Sequence, residues 1–165
     1  MPDAHCRTPG PRGEHPAPRL PPLAVAPLAA LLAWLAARAA PQLAFDFPGR
    51  IALCLLLTGA AIAVGLAGVI EFRRARTTVN PLQPERAAAL VTGGIYRHTR
   101  NPMYVAVAAL LLAWGLWLGN ALGPLAVVLF VAWMDRLQIP PEERALATLF
   151  GAQFERYRRD VRRWL

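Results

Sequence analysis

From Leu90 to Tyr104 the chain reads Leu-Val-Thr-Gly-Gly-Ile-Tyr-Arg-His-Thr-Arg-Asn-Pro-Met-Tyr, which sets Arg97, His98, Arg100, a glycine pair and Pro102 directly against a long apolar run. Pro141-Glu142-Glu143 stand at the far end of that run. If the run folds back on itself, Arg100 to Met103 and Asp135 to Glu143 arrive at the same face and form one polar pocket. The chemistry on offer is ionic and hydrogen-bonding. Arg100 and Arg136 carry planar forks that fix a carboxylate, and one of Glu142 and Glu143 can accept from a hydroxyl or amino group while the other pairs with an arginine or takes a proton.

Each of these residues also has a plainer reading. Arginines at a membrane edge snorkel and anchor headgroups, and Glu142 and Glu143 after Pro140-Pro141 suit the first turn of a helix, where the macrodipole favours acids. A lone His98 at an interface is usually solvated, and Tyr96 and Tyr104 fit an aromatic belt. Asp135 closes an apolar helix and pairs with a nearby arginine. Gly93-Gly94 lies outside any GxGxxG context and has no strand before it, so a dinucleotide loop is rejected in favour of a turn that lets backbone approach a ligand.

Composition fixes the surroundings in which that pocket must form. The chain has 165 residues, 56% of them hydrophobic, with a mean hydropathy of +0.35, which indicates one domain that inserts in a membrane. Its net charge of +8 comes from 18 basic residues, every one an arginine. They flank apolar runs and are not interleaved with aromatics on a separate basic fold, which speaks against nucleic acid as a partner. Cys6 and Cys54 have neither disulfide-framework nor metal-ligand spacing, so no metal is expected.

Residues 1–22 hold seven prolines and several charges and are expected to form a disordered tail. The rest, 23–165, reads as one all-α integral membrane domain. Leu20 to Ala37 and Ile51 to Ile70 are uncharged over 18 and 20 residues, each enough for a membrane helix. Asn101 to Met134 is uncharged over 34 residues and is interrupted by Gly119-Asn120 and Gly123-Pro124, which predicts a short helical hairpin. Four membrane helices therefore fall at about 23–40, 51–71, 102–118 and 121–138, and a C-terminal helix at about 142–163. On that last helix Leu146, Leu149, Phe150, Phe154, Tyr157, Val161 and Trp164 share a face, with a break or kink near Gly151. It either lies on the membrane surface or closes over the polar cluster. Gly115, Gly119 and Gly123, four residues apart, mark close helix contact or the turn itself.

Arginine placement orients the bundle. Six arginines lie between the second and third helices, seven follow the hairpin and none occupies its turn, which puts both arginine-rich segments and both termini in the cytoplasm of what reads as a bacterial inner-membrane protein. Ala37-Arg38-Ala39 also imitates a signal-peptide cleavage site, an alternative that leaves those segments where they are.

Taken in order, Leu90-Val91-Thr92-x-Gly94-x-Tyr96, Arg100-x-Pro102-x-Tyr104, Glu142-Glu143 and Phe150-Gly151-x-x-Phe154-x-x-Tyr157 resemble the isoprenylcysteine carboxyl methyltransferase and phospholipid methyltransferase superfamily. The resemblance covers about residues 73–165. It implies a membrane enzyme that uses S-adenosylmethionine. In the prenylcysteine branch the segment matching Ala88, Ala89, Leu90 and Val91, the tyrosine at Tyr96, the tetrapeptide at Asn101, Pro102, Met103 and Tyr104, and the glutamate at Glu142 enclose that cofactor. Arg100 and Glu143 are then the catalytic candidates, and Arg136 and Gln138 face the substrate. That branch carries His where Asn101 stands and Arg where Gln138 stands. Asn101 keeps hydrogen-bonding capacity for the cofactor, whereas the loss of an arginine at Gln138 weakens the case for a prenylcysteine carboxylate.

The resulting expectation is methyl transfer to a small or lipidic carboxylate, amine or thiol that reaches the site from the bilayer. Two alternatives stay open: a membrane reductase of the steroid-reductase type, disfavoured by the short chain and the paired glutamates, and a non-catalytic binding or scaffold protein that retains the pocket.

Overall fold

A computed structural model of the chain describes residues 22–75 and 89–165. Residues 1–21 of the tail expected over 1–22, the residue Ala88, and Arg76 and Arg86 of the arginine-rich segment lie outside the described residues, and Pro22 already belongs to the first helix. Among the described residues six α-helices follow in order: α1 (Pro22–Ala39), α2 (Arg50–Arg74), α3 (Pro102–Leu118), α4 (Leu125–Trp133), α5 (Ile139–Phe150) and α6 (Ala152–Asp160). The described fold is all-helical, and one isolated bridge between Ala44 and Asn120 is its extended pairing.

Local chemistry sets the boundaries. Pro102 opens α3, where its missing N–H would have lacked a helical partner in any case. Gly119, at φ 59° in the left-handed region, ends the same helix. Between α4 and α5 the backbone does not stop: Met134–Gln138 form a π turn that makes one helical run from Leu125 to Phe150. Pro140 and Pro141 explain the widening, because each removes an N–H and presses its ring on the carbonyl four residues back, at Arg136 and Leu137. The Ile139 N–H bonds to the Met134 carbonyl, five residues back.

Two expected boundaries shift for these reasons. The helix placed at 121–138 begins at Leu125, since Ala121 to Pro124 belong to the turn. The helix placed at 142–163 is not separate but continues from α4, breaks at Gly151 and ends at Asp160, leaving 161–165 as a strap.

α3 is the central helix and packs against α1, α2 and α4. Val25, Ala29 and Ala33 of α1 meet Tyr104 and Leu111 of α3, Ala126 and Phe130 of α4, and Met134 and Ile139 beyond it. Small residues let the helices approach: a Cβ on Gly115 would lie 2.6 Å from the Gly123 carbonyl carbon. Of the three glycines in that register, Gly119 caps and the other two touch.

The outward faces are apolar too. Leu55 and Leu56 are each 68% exposed, Val128 62% and Leu66 57%. Leaving such side chains in water forgoes about 1.5–3 kcal/mol apiece, so this surface suits hydrocarbon. α2, with 25 residues, is long and apolar enough to cross a membrane, and 17% of its most apolar window is buried within the molecule. α1 and α3 are apolar but shorter. Among the described residues, one helix rather than the four anticipated meets the length for a full span.

The end of the bundle away from the glutamates is closed by a clasp. The Phe45 N–H donates to the Gly119 carbonyl at 2.7 Å, the Ala121 N–H to Leu43 at 3.0 Å, and the Asn120 amide to the Ala40 carbonyl at 2.8 Å. Arg50 Nη1 donates to the Leu116 and Trp117 carbonyls at 3.2 and 3.0 Å, adding a charged donor to the Leu116 carbonyl that the Gly119 N–H already caps and bonding a last-turn carbonyl at Trp117.

Candidate active site

At the opposite end, the segment before α3 meets the π turn, the start of α5 and the strap. The loop 99–101 is irregular, and its polar groups find partners outside it. Thr99, fully buried, donates from its hydroxyl to the Arg163 carbonyl at 3.1 Å and accepts the Asn101 N–H at 3.1 Å. The Arg100 N–H donates to the Arg162 carbonyl at 2.9 Å, and Asn101 Nδ2 to the Arg163 carbonyl at 3.0 Å.

Helix geometry then brings the carboxylates in. Gln138 and Glu142 are four residues apart on one face, and Gln138 Nε2 donates to Glu142 Oε1 at 2.5 Å. Tyr104, in the first turn of α3, donates its hydroxyl to the same oxygen at 2.7 Å. Two segments 38 residues apart are thereby joined through one carboxylate.

Glu143 lies among arginines. Arg100 Nη2 approaches Oε1 at 2.9 Å and Arg163 Nη2 approaches Oε2 at 2.7 Å, with the Arg100 and Glu143 side chains 11% and 12% exposed. Burial opposes ionisation of this carboxyl, but the hydrogen bonds from Arg163 and Arg100 and their charges outweigh it and hold its pKa below the usual carboxylate range. Arg163 is raised in turn, first by its hydrogen bond to Glu143. Arg163 Nη1 also reaches Asp135 Oδ1 at 3.1 Å, and the Trp164 indole donates to that oxygen at 3.0 Å. Arg100 Nη1 donates further to the carbonyls of Arg158, at 2.9 Å, and Val161.

On the other flank, Tyr96 follows Gly94, whose φ of 53° turns the chain. Glu71 at the end of α2 fills the space a side chain would need there, since a Cβ on Gly94 would lie 2.6 Å from its carboxyl carbon. The Tyr96 ring is buried and meets Phe72 edge-on at 5.5 Å. Burial, reinforced by Tyr157 and Glu71, raises the Tyr96 pKa and keeps the phenol protonated. Tyr157 of α6 donates to the Tyr96 carbonyl at 2.8 Å, so α6 closes over this cluster, the second of the two placements open to it.

The structure therefore gathers Tyr96, Arg100, Asn101, Pro102, Tyr104, Gln138, Glu142 and Glu143 at one end of the bundle. Met103 is half-buried beside Gly68 of α2, and Val91 is buried. Ala89 and Leu90 are half-buried at the start of the segment, and Arg136 is exposed. His98 and Arg97 are exposed on the rim, in keeping with the solvated reading. Glu71, Asp135 and Arg163 are the polar residues that sequence reasoning underweighted. Only for Asp135 was there a signal, as the acid that ends an apolar helix and pairs with an arginine.

A methyl-donor cofactor is a sulfonium cation that also carries ribose hydroxyls, an ammonium and a carboxylate. The residues present fit it in kind: the Glu142 carboxylate for a hydroxyl or amino group, tyrosine rings for a cation, and Arg100, whose Nε is buried without a hydrogen-bond partner, for a carboxylate.

Comparison with known proteins agrees with this chemistry. Residues 49–153 match the phospholipid methyltransferase family, part of the isoprenylcysteine carboxyl methyltransferase-like superfamily. The chain is 46% identical over 63 residues, 38% of its length, to an uncharacterized protein of Haemophilus influenzae (strain ATCC 51907 / DSM 11121 / KW20 / Rd), all of which the match covers. No solved structure matches.

Proposed function

Because the chain belongs to the phospholipid methyltransferase family, we propose that it transfers the methyl group of S-adenosylmethionine to a lipidic or small acceptor at the cytoplasmic face of a bacterial inner membrane. The observation that carries the proposal is the Tyr104–Glu142–Gln138 junction, which ties the family's separate segments into one polar site at the end of an apolar bundle. Membrane residence is supported by the apolar outer faces and by α2. The orientation rests on arginine placement, since the turn between α3 and α4 has none and the site end is rich in them.

When bound, the cofactor supplies an intrinsically reactive methyl group, so the protein's task is alignment and exclusion of water. Glu142, already oriented by Tyr104 and Gln138, binds the donor's hydroxyl or amino group. Asn101, Tyr96 and residues 89–91 would complete that enclosure. Arg100 orients a carboxylate, and Glu143, held ionised by two arginines, fixes the Arg100 fork. Its lowered proton affinity makes it a poor base, which favours acceptors that arrive as carboxylates or otherwise without a proton to lose. Gln138 is uncharged and committed to Glu142, so it does not supply the substrate arginine that the prenylcysteine branch has at that position, whereas Arg136, exposed near it, is the arginine free to meet an acceptor.

The test is transfer of tritiated methyl from S-adenosylmethionine in membranes containing the protein, with and without added lipid extract. Label entering lipid or a small acid above the level of empty membranes supports the reading. No transfer together with no cofactor binding would leave a non-catalytic scaffold as the better account.

A further inference from the structure

Apart from the Val161 N–H, which caps α6 by donating to the Tyr157 carbonyl at 3.0 Å, the strap over residues 161–165 completes no helix, yet its main chain and side chains are bonded throughout to the site. Its carbonyls at Val161, Arg162 and Arg163 accept from Arg100 Nη1, the Arg100 N–H, and Thr99 together with Asn101 Nδ2. Its side chains at Arg163 and Trp164 hold Glu143 and Asp135, and Trp164 also packs on the apolar core. A segment whose only role was to cover the bundle end would not need to address both the Arg100-Asn101 pair and the carboxylate that pairs with Arg100.

We infer that Arg163 is a positioning residue for methyl transfer: by locking the strap to Asp135 and Glu143 it fixes the Arg100 fork and sets Asn101 with Oδ1 as the atom left to receive a donor from the cofactor. The orientation of Asn101 follows from chemistry. The Arg163 carbonyl can only accept, so the amide must turn Nδ2 towards it. Residue 101 then offers an acceptor to a ligand amino group. Arg163 itself touches no cofactor atom and acts through Glu143 and its own main chain. The inference rests on the methyl-transfer reading, in which Arg163 enters only as a charge beside Glu143, and gives that residue a positioning role through its fork and main chain.

The test separates charge from shape. Glu143 is faced by Arg100 and Arg163, with Glu142 beside it on α5, Asp135 behind Arg163 and Tyr157 against the Arg100 side. Full-length protein in lipid nanodiscs is compared as wild type, Arg163→Gln, Arg163→Lys and Arg159→Gln, the last an exposed arginine of α6 serving as control. Calorimetry with S-adenosylhomocysteine gives affinity, and an infrared titration, assigned with Glu143→Gln, gives the protonation midpoint of Glu143. Arg163→Gln is expected to weaken binding about fivefold or more, the scale of one net hydrogen bond, and to raise the midpoint because one of two favourable charges is gone. Arg163→Lys is expected to keep the midpoint and lose affinity, because it retains the charge without the fork that spans Glu143 and Asp135.

Wild-type affinity in Arg163→Lys or in a folded Arg163→Gln overturns the inference. Should Arg163→Gln fail to fold, the Lys variant decides alone. Wild-type protein that binds no S-adenosylhomocysteine would sink the methyl-transfer reading instead, so the two failures are distinguishable.

Discussion

Both ends of the bundle set an arginine against backbone carbonyls, but the surroundings of the two differ. Arg50 donates to the last turn of α3, and its carboxylate partner Asp46, 2.9 Å away, is 79% exposed. Arg100 donates to carbonyls of α6 and the strap, and its partner Glu143 is 12% exposed and shared with a second arginine. An ion pair in water contributes little, whereas breaking one that is withdrawn from water strands a charge. The clasp end thus uses arginine to finish a helix, and the site end uses it to hold polar atoms in fixed positions that packing alone would not choose. Stability and chemistry should accordingly be separable by mutation.

The largest separation is expected at Arg100. Arg100→Lys keeps one charge but cannot span Glu143 and two carbonyls, so methyl transfer should fall tenfold or more, about 1.4 kcal/mol in the barrier. Arg50→Lys can still reach a carbonyl and should leave turnover per folded molecule unchanged. Steady-state assays on both variants, normalised to inserted protein, check the pair. Equal losses, or none at Arg100, would erase the distinction between the ends. Glu142→Gln belongs to the same class and should weaken S-adenosylmethionine binding by about 1.5–3 kcal/mol, the scale of a hydrogen bond to a charged group. Unchanged affinity in calorimetry would remove Glu142 from the cofactor site.

The reverse effect is expected where Gly115 meets Gly123. A methyl group there would lie 2.6 Å from backbone that has no flexible end to move aside. Gly115→Ala should therefore destabilise the fold by about 1–3 kcal/mol while leaving the activity of surviving molecules intact. Thermal unfolding in detergent alongside cofactor affinity tests it, and lost affinity without lost stability would show that the two ends are coupled.

How much of this contrast was legible beforehand depends on whether a residue's partner lies near it in sequence. The hairpin turn was readable because Gly119 and Pro124 act on local backbone, and Glu142 stood out because its motif carries it. Gly94 was read as a turn open to a ligand, but what fills that space is Glu71, 23 positions earlier and on another helix. Arg163 looked like one more basic residue in a row of seven, since nothing in its neighbourhood names Glu143 or Asp135. The π turn had a visible cause in Pro140-Pro141, yet two prolines announce only that regular hydrogen bonding must change. They do not say whether the chain stops or widens. Here apolar packing on both sides, at Met134 and Ile139, keeps the run going.

The smallest expected effects concern acid and the outer surface, and they probe the comparison most finely. Glu143 has a lowered pKa in the folded protein, so it contributes stability that is fully present above its unfolded value and is lost as pH falls through the folded one. Acid should release the strap at the site end. Glu143→Gln should flatten that acid dependence of unfolding, and an acid limb that survives the substitution would have to come from elsewhere. The control is the pair Arg158 and Glu155 on α6, 3.0 Å apart with side chains 49% and 40% exposed. Water screens that pair, and holding two long side chains costs entropy, so Glu155→Gln should change stability by no more than about 1 kcal/mol. If Glu155→Gln instead matched the loss in Glu143→Gln, burial would not be what distinguishes the arginines of this end. The network around Arg100 and Arg163 would then be no more than surface charge that happens to lie near a site.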